Sequence, residues 1–176
     1  MPDEPILPID DPLLKRPSEV VTRFDDELRA LSQKMFEVMD KAKGAGLAAV
    51  QIGVPRRLVV MDVRDNEDRR HRLTLVNPEL LVWSDDMVRG VEGCLSMPDY
   101  TVPVDRSARV RVRYQDLSGE VHETDADGEF AVCLQHEIDH TNGILFTDRV
   151  SRLRRDKARK HFARVRRDAE RGHAIV

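Results

Sequence analysis

The chain has 176 residues, of which 40% are hydrophobic and 35% charged, and its formal net charge is −3. This length suits one domain with a hydrophobic core and is short for two. The N-terminus lacks the basic start and apolar run of a secretory signal, and no stretch approaches the roughly 18 apolar residues of a membrane span. We therefore expect a cytoplasmic protein that does not bind membranes. Its two cysteines, Cys94 and Cys133, fit reduced thiols in that compartment better than a disulfide.

The chain begins with an extended segment and a helix. Prolines predict that the start is extended and wraps around the body, namely Pro2, Pro5, Pro8, Pro12 and Pro17. Across residues 25–43, apolar residues recur at spacings of three and four, and acidic residues precede basic ones. This pattern predicts a helix that Gly44 ends.

Strands are predicted in the middle of the chain, at residues 58–63, 73–76 and 80–83. Asn77 and Pro78, between the last two runs, are predicted to form a turn. Over residues 109–114, arginine alternates with apolar residues, which predicts a strand with one buried face. Residues 116–119 supply the turn of a hairpin that returns through Val121.

Two further helices are predicted, at about residues 129–142, where Gly143 ends the helix, and at about residues 151–171. The fold class that follows is α+β, with antiparallel or mixed sheets packed around a central helix and with one helix near each end of the chain. We expect residues 1–176 to form a single domain.

The last predicted helix is strongly basic. Residues 149–171 hold eleven Lys or Arg and three Asp or Glu, a balance of +8, so the rest of the chain carries −11. A basic segment on an acidic body indicates an anionic partner, although a solvated helix face has the same composition. An apolar stripe is predicted to dock this helix on the body, formed by Ala158, Phe162, Val165 and Ala169.

Residues 136–140 read HEIDH. On a helix, His136 and His140 lie on one face and can bind the same metal ion, while Glu137 can accept a proton from water there. Two surface histidines on an ordinary helix would give the same pattern. A tetrahedral catalytic site also needs a third protein ligand and an open position.

Three sources of a third ligand are open. Metzincins place a third histidine where this chain has Phe146. Thermolysin-like enzymes use a downstream glutamate, and Glu170 is the only one that follows the motif. The third source is Cys94 in the EGCLS segment, although a lone cysteine is more often a small buried apolar residue.

Small residues dominate residues 44–51, which read GAGLAAVQ. They allow the backbone to approach a ligand closely. Gln51 can donate its side-chain amide to an oxyanion, or it is an ordinary polar residue.

These segments together resemble the signature of the peptide deformylase family, in the order GAGLAAVQ, EGCLS and QHEIDH. The resemblance spans nearly the whole chain and includes residues 6–8, 77–78 and 143–148. It implies a metal-dependent hydrolase that removes the formyl group from the N-terminal methionine of nascent polypeptides and releases formate. The implied cofactor is one divalent ion, typically Fe²⁺, with Zn²⁺, Ni²⁺ or Co²⁺ as alternatives.

The resemblance also assigns roles to residues. It implies that the metal ligands are Cys94, His136 and His140, and that Glu137 is the general base and then the acid. It implies that Gln51 and the backbone N–H of Leu95 receive the oxyanion. The backbone at Ala45, Gly46 and Gly93 is expected to hold the peptide as an added strand.

Some neighbouring positions bear on the site. A buried Glu92–Arg106 pair is predicted to anchor the metal loop, against the alternative of two unrelated surface charges. Four positions depart from the family pattern without removing a catalytic group, namely Ala45, Val50, Glu129 and Thr141. Ala45 and Glu129 leave the shape of the side-chain pocket open, and Cys133 either lines that pocket or packs in the core.

The expected partners are N-formylmethionyl nascent peptides and, through the basic helix, the ribosome. We expect no binding to DNA and a monomeric protein. Two rival functions remain. A metal-dependent endopeptidase would cleave internal peptide bonds and use a ligand downstream of His140. A catalytically silent homologue would bind ribosomes or RNA through the basic helix, but the intact Glu137, Cys94 and Gln51 argue against it.

Overall fold

The computed structural model describes residues 5–173. Its α-helices are α1 (Asp26–Lys41), α2 (Gly128–Thr141) and α3 (Arg152–His173). Its strands are β1 (Gly46–Ala48), β2 (Leu58–Arg64), β3 (Arg70–Trp83), β4 (Met87–Cys94), β5 (Met97–Ser107), β6 (Arg109–Gln115) and β7 (Val121–Asp127). Short 3₁₀ helices lie at Pro12–Lys15, Ala49–Ile52 and Phe146–Arg149. None of the helices in the described range has the length and apolar character that crossing a bilayer requires.

The strands form two antiparallel sheets. One has five strands in the order β1-β2-β3-β6-β7, and the other pairs β4 with β5. Strand β2 separates two parts of the core, because Val59 and Met61 pack in the cluster that contains residues of α2, whereas Leu58 and Val60 pack with residues of α1. Helix α2 contacts strands of both sheets. The predicted α+β class with a central helix is therefore confirmed.

The predicted turn at Asn77 and Pro78 is wrong. Both residues lie inside the continuous strand β3, where the register with β6 shifts between Val76 and Glu79. Asn77 adopts a φ of 51°. Its side-chain oxygen accepts a hydrogen bond from the Val21 N–H at 2.8 Å, and its amide donates to the Val21 carbonyl at 2.9 Å. The Asn-Pro pair thus marks a bulge rather than a turn, since side-chain hydrogen bonds hold the irregular backbone within the sheet.

The β4–β5 hairpin was not predicted from sequence. Exposed residues predominate along β4, including Val88 and Val91, so it lacks the alternation of a strand with one buried face. The pairing of β4 with β5 is nevertheless continuous up to Gly93. This hairpin carries the EGCLS segment to the end of the small sheet.

The predicted end of α2 is confirmed, and it also receives the start of the chain. Gly143 has a φ of +73°, and a Cβ atom there would lie 2.7 Å from the Lys15 carbonyl oxygen. Only glycine suits this position. The N-terminal segment runs over the body, where the Leu7 N–H donates to the Gln51 carbonyl at 2.7 Å and the Ile9 N–H to the Ser96 carbonyl at 2.8 Å. Pro2, part of the predicted extended start, lies outside the described residues.

The apolar packing of helix α3 is confined to its first half. Ala158 is buried and Phe162 is half-buried against the core, as the predicted stripe requires. Val165 and Ala169 are exposed, so this part of the prediction is wrong. Farther along the helix, Arg166 forms a salt bridge with Asp10 of the N-terminal segment.

Candidate active site

Helix α2 and the β4–β5 hairpin bring three potential metal ligands together. His136 and His140 are one turn apart on α2 and buried, and Cys94 ends β4. One ligand atom from each of the three residues lies within 4.8 Å of the others. The Cys94 Sγ is 3.4 Å from the His140 Nε2, close to the roughly 3.5 Å expected for a sulfur and a nitrogen around one tetrahedral ion. The donor set and its spacing therefore fit a divalent metal ion.

The other two positions considered for a third ligand, 146 and 170, do not supply one. Phe146 packs in the core with its ring 5.9 Å from that of His136. Glu170 is exposed on α3, 3.6 Å from Arg166. The cysteine is thus the residue that the fold brings to the two histidines.

A buried ion pair orients His136. The His136 Nδ1 lies 3.0 Å from Oε2 of Glu92, which leaves Nε2 directed to the ligand cluster. Arg106 donates to both oxygens of Glu92, at 2.7 and 3.0 Å. Burial opposes ionisation of Glu92, but its hydrogen bonds to His136 and Arg106 lower its pKa to about 2. The predicted Glu92–Arg106 pair is confirmed, with both side chains buried.

The sequence reading missed Asp139, which lies between the two histidines of the motif. Asp139 accepts a hydrogen bond from Arg106 at 2.6 Å and is also held by Arg149 at 2.6 Å. Arg106 therefore joins two buried carboxylates, one from β4 and one from α2. The signal in the sequence was an acidic residue next to His140, between the two predicted metal ligands of the helix.

Glu137 and His140 each carry an unpartnered buried atom. Within the described residues, neither Glu137 Oε2 nor His140 Nδ1 has a hydrogen-bond partner. Burial raises the pKa of Glu137 to about 7. Burial also lowers the pKa of His140 well below its ordinary value, which favours the neutral imidazole that binds metals.

Strand β1 passes close to helix α2 at Gly46. A Cβ atom at this position would lie 2.6 Å from Glu137 Oε1 and 2.8 Å from Cys133 Sγ. Contacts this short do not occur for real side chains, so glycine is required for the close approach. The half-buried Cys133 lines the cleft beside β1 and also packs against the core, so both alternatives for this residue hold.

The amide of Gln51 has a defined orientation. Its Oε1 accepts the Ala48 N–H at 2.9 Å, so its Nε2 points the other way, to Ser96 Oγ at 3.1 Å and Cys94 Sγ at 3.5 Å. An amide fixed in this way presents a donor beside the ligand cluster. Ser96 was not identified from sequence.

The site opens into a cleft of about 1000 Å³ between α2, β1 and the β4–β5 hairpin. Eight of the nine predicted site residues line it, namely Ala45, Gly46, Gln51, Gly93, Cys94, Leu95, His136 and Glu137. The ninth, His140, is buried beneath them. Of the four departures from the family pattern, Ala45 and Glu129 line the cleft, whereas Val50 and Thr141 are buried away from it.

Comparisons with known proteins agree with this architecture. A model of the polypeptide deformylase family matches residues 3–156. A peptide deformylase of Afipia carboxidovorans is 50% identical over 160 residues, which cover 91% of this chain and 94% of that protein. A peptide deformylase of Phenylobacterium zucineum is 53% identical over 156 residues, covering 88% of this chain and 92% of that protein.

A solved structure shows the same fold. The crystal structure of peptide deformylase from Ehrlichia chaffeensis matches with a TM-score of 0.87 and 36% identity, covering 93% of this chain and 97% of that one. The family model and the relatives that match over nearly their whole length show that this chain belongs to the peptide deformylase family.

Proposed function

We propose that Cys94, His136 and His140 hold one divalent metal ion in this enzyme and that Glu137, Gln51 and Leu95 carry out catalysis around it. As a peptide deformylase, the protein is a metal-dependent hydrolase that removes the formyl group from the N-terminal methionine of nascent polypeptides. The observation that carries the residue assignment is the convergence of a thiol and two imidazoles within 4.8 Å, on the same helix as Glu137.

Glu137 moves the proton. When bound, the metal ion lowers the pKa of a water molecule and polarises the formyl carbonyl. Glu137 accepts the proton of the attacking water and then delivers it to the leaving amine, which yields formate and a free N-terminus. The buried, unpartnered Oε2 of Glu137 and a pKa raised to about 7 by burial suit a group that gives and takes a proton near neutral pH.

Gln51 and Leu95 stabilise the negative charge that develops on the formyl oxygen. The Gln51 Nε2 is held beside Cys94 because the Ala48 N–H fixes the opposite end of the amide. Leu95 follows Cys94 in the turn between β4 and β5, so its backbone N–H lies next to the same centre. Hydrogen-bond donors that are already fixed at this position stabilise the developing negative charge without having to rearrange.

The peptide binds as an added strand at Ala45, Gly46 and Gly93. Within the described sheets, β1 pairs only with β2 and β4 pairs only with β5, so each has an edge without a neighbouring strand. Residues of both strands line the cleft. Backbone groups at such edges can hold an extended peptide whatever its sequence.

We propose that the resident metal is Fe²⁺, with Zn²⁺, Ni²⁺ or Co²⁺ as possible substitutes. A thiolate with two imidazoles suits several divalent transition metals. The half-buried Cys94 thiolate would be prone to oxidation beside iron. Purification without oxygen, followed by metal analysis and an activity assay for each metal, separates these ions.

The test of the proposed reaction compares two substrates. The metal-loaded protein should release formate from a formyl-methionyl peptide and leave its internal peptide bonds intact. The same peptide without the formyl group should be unchanged. Cleavage of internal bonds in both peptides would replace this proposal by the endopeptidase.

We also propose that α3 binds the ribosome, whose surface is largely RNA phosphate. Basic residues crowd this helix, namely Arg152, Arg154, Arg155, Lys157, Arg159, Lys160, Arg164, Arg166 and Arg167. Arg154, Lys157 and Lys160 are exposed, while Ala158 docks the helix. Binding through phosphate contacts should weaken steeply as salt rises.

Charge reversal of three exposed basic residues tests the ribosome proposal without disturbing the docked face. The triple variant Arg154→Glu, Lys157→Glu and Lys160→Glu should bind ribosomes less at low salt and deformylate a short peptide like the parent. Equal ribosome binding by variant and parent would leave α3 as a solvated helix.

The remaining proposals concern the whole chain. We propose that residues 1–176 form one catalytic domain, that the protein is a monomer without affinity for DNA or membranes, and that it acts in the cytoplasm, where nascent chains emerge. A single chain supplies every proposed catalytic group, which supports the monomer. Sedimentation and cell fractionation test these points.

A further inference from the structure

Another cavity, of about 460 Å³, lies between helix α3 and the N-terminal segment. Six apolar residues line it, namely Ile9, Met97, Leu145, Ala158, Phe162 and Ala163. Of these six, Met97 alone also lines the cleft that holds the proposed catalytic residues. The volume is in the range of about 300–1,000 Å³ that is typical of small-molecule sites. The cavity is therefore large enough for a ligand and distinct from the cleft.

The apolar lining of this cavity belongs to the hydrophobic core. Ile9, Leu145 and Ala158 are buried, Phe162 is half-buried, and all four pack in the same cluster. Apolar side chains that border open space lack van der Waals contacts on that side. An apolar chain that enters the cavity supplies these contacts and removes its own surface from water.

All three carboxylates of the cavity already have partners. Arg166 forms salt bridges with Asp10 and with Glu170. The Asp148 carboxylate accepts a hydrogen bond from the Leu145 N–H at 2.9 Å. The acidic groups are thus engaged within the protein, so they are poorly placed to attract a cationic ligand.

Three basic residues of the cavity differ in this respect. Lys15, Arg159 and Arg167 line it, and within residues 5–173 none of their side chains forms an ion pair or a hydrogen bond. All three are exposed, so an anionic group beside them can stay hydrated. The uncompensated charge next to the apolar lining is therefore positive. It offers charge complementarity to a molecule with an apolar chain and an anionic end.

The cavity and the proposed ribosome-binding residues use different faces of α3. The lining residues of the helix from Arg159 to Glu170 recur at spacings of three and four, so they share one face. Arg154, Lys157 and Lys160 do not line the cavity. A ligand in the cavity and the proposed phosphate contacts can therefore be tested separately.

We propose that this cavity binds a small amphipathic anion, namely a medium-chain aliphatic carboxylate. The aliphatic chain lies among Ile9, Leu145 and Phe162, and the carboxylate lies beside Arg159 and Arg167. The inference does not depend on the proposed metal ligands or on the proposed catalytic residues.

The contributions of chain and charge can be estimated separately. Each CH₂ group that enters the cavity should tighten binding about fourfold. Removing both exposed arginines should weaken binding about 2- to 30-fold, since each exposed charge pair contributes little in water. Raising the salt from about 0.1 M to 1 M should weaken binding of the carboxylate through screening.

The experiment uses the full-length protein with zinc bound and follows the methyl resonances of Ile9 and Leu145 in nuclear magnetic resonance titrations. Both residues line this cavity, and neither lines the cleft. The ligands are hexanoate, octanoate, octanol and octylammonium. Octanoate should shift both resonances and should bind more tightly than the shorter carboxylate, the neutral alcohol and the cation.

A cavity-filling variant locates the ligand. Ala163→Trp places a large side chain in the cavity from an exposed position, so it should prevent octanoate binding without disturbing the core. Val165→Trp is the matched control, because Val165 is exposed on the same helix and does not line the cavity. It should bind octanoate like the parent.

A charge variant tests the recognition of the carboxylate. The double variant Arg159→Gln and Arg167→Gln should weaken octanoate binding and leave octanol binding unchanged. The control is the double variant Arg154→Gln and Arg164→Gln, which removes the same charge from exposed positions of α3 outside the cavity. It should bind octanoate nearly as the parent does.

Two results would overturn the inference. The first is the absence of octanoate binding, or equal binding of octanoate and octylammonium. The second is octanoate binding that both Ala163→Trp and the double variant at 159 and 167 leave unchanged, because the carboxylate would then bind elsewhere, for example at the metal ion.

Discussion

Arg106 and Glu92 form a buried bidentate pair, in which Nε lies 2.7 Å from Oε1 and Nη2 lies 3.0 Å from Oε2. Glu92 also contacts Nδ1 of His136. The pair therefore connects the small sheet to a proposed metal ligand on α2, and the orientation of that imidazole depends on a residue of β5.

Arg106→Ala should destabilise the protein by about 3–5 kcal/mol, since it leaves Glu92 buried without its arginine partner and leaves Asp139 paired with Arg149 alone. Loss of the group that orients His136 should also weaken metal binding about 10- to 100-fold. Denaturant unfolding and metal titration measure the two effects. Arg89→Ala is a matched control on the same hairpin, because its bidentate pair with Asp105 is exposed and should contribute at most about 1 kcal/mol. Similar losses in both variants would contradict the role of Arg106.

Glu137→Gln should retain the metal and the fold but lower the rate of deformylation by about 10²- to 10⁴-fold. Glutamine has the same shape and cannot accept the proton. Formate release, metal content and melting temperature are measured on the same preparation. A variant with normal metal content and most of its activity would remove Glu137 from the mechanism.

Cys94→Ala should lose metal and stability together. Cys94 ends β4 and the two histidines lie on α2, so a bound ion ties the hairpin to the helix. Thermal unfolding with and without a chelator should differ for the parent and coincide for the variant. Full metal occupancy in the variant would require a different third ligand.

Gln51→Leu should lower the catalytic rate by the equivalent of about 2.7–4 kcal/mol while metal content is unchanged. It also leaves the Ala48 N–H without its acceptor, which should cost about 1–3 kcal/mol of stability. Denaturant unfolding and formate release on the same preparation measure the two effects. Full activity in the variant would make Gln51 structural only.

Gly46→Ala should reduce activity by displacing Glu137, because the new Cβ would lie 2.6 Å from its Oε1. The same substitution combined with Glu137→Gln tests this cause. If Gly46→Ala acts through the proton-transfer group, it should cost much less activity in the Glu137→Gln background than alone. Equal, additive losses would indicate a separate effect on peptide binding or on β1.

Several features could be predicted from local patterns. The spacing of His136 and His140 places both on one helix face, and Gly143 ends that helix as predicted. The alternation of arginine with apolar residues predicted β6, in which Val110 and Val112 are buried. These predictions succeeded because each depends on residues within one or two turns of helix or along one strand.

Other features depended on distant parts of the chain. Asn77 and Pro78 carry a strong turn signal, yet hydrogen bonds to Val21 hold them within β3. The stripe on α3 predicted docking along its whole length, but its packing against the core ends at Phe162, and Val165 is exposed. Propensity is a local quantity, and tertiary contacts outweigh it at these positions.

The chain order of GAGLAAVQ, EGCLS and QHEIDH supplied the family, the chemistry of the site and the identity of its groups, because donor type and helical spacing are properties of the residues themselves. Only the tertiary structure brought Cys94 to within 3.4 Å of His140 and turned the Gln51 donor towards Cys94. The physical reason is that Cys94 and His140, which are 46 positions apart in the sequence, meet through strand pairing and core packing. Both are set by contacts across the whole chain, which no local window of sequence contains.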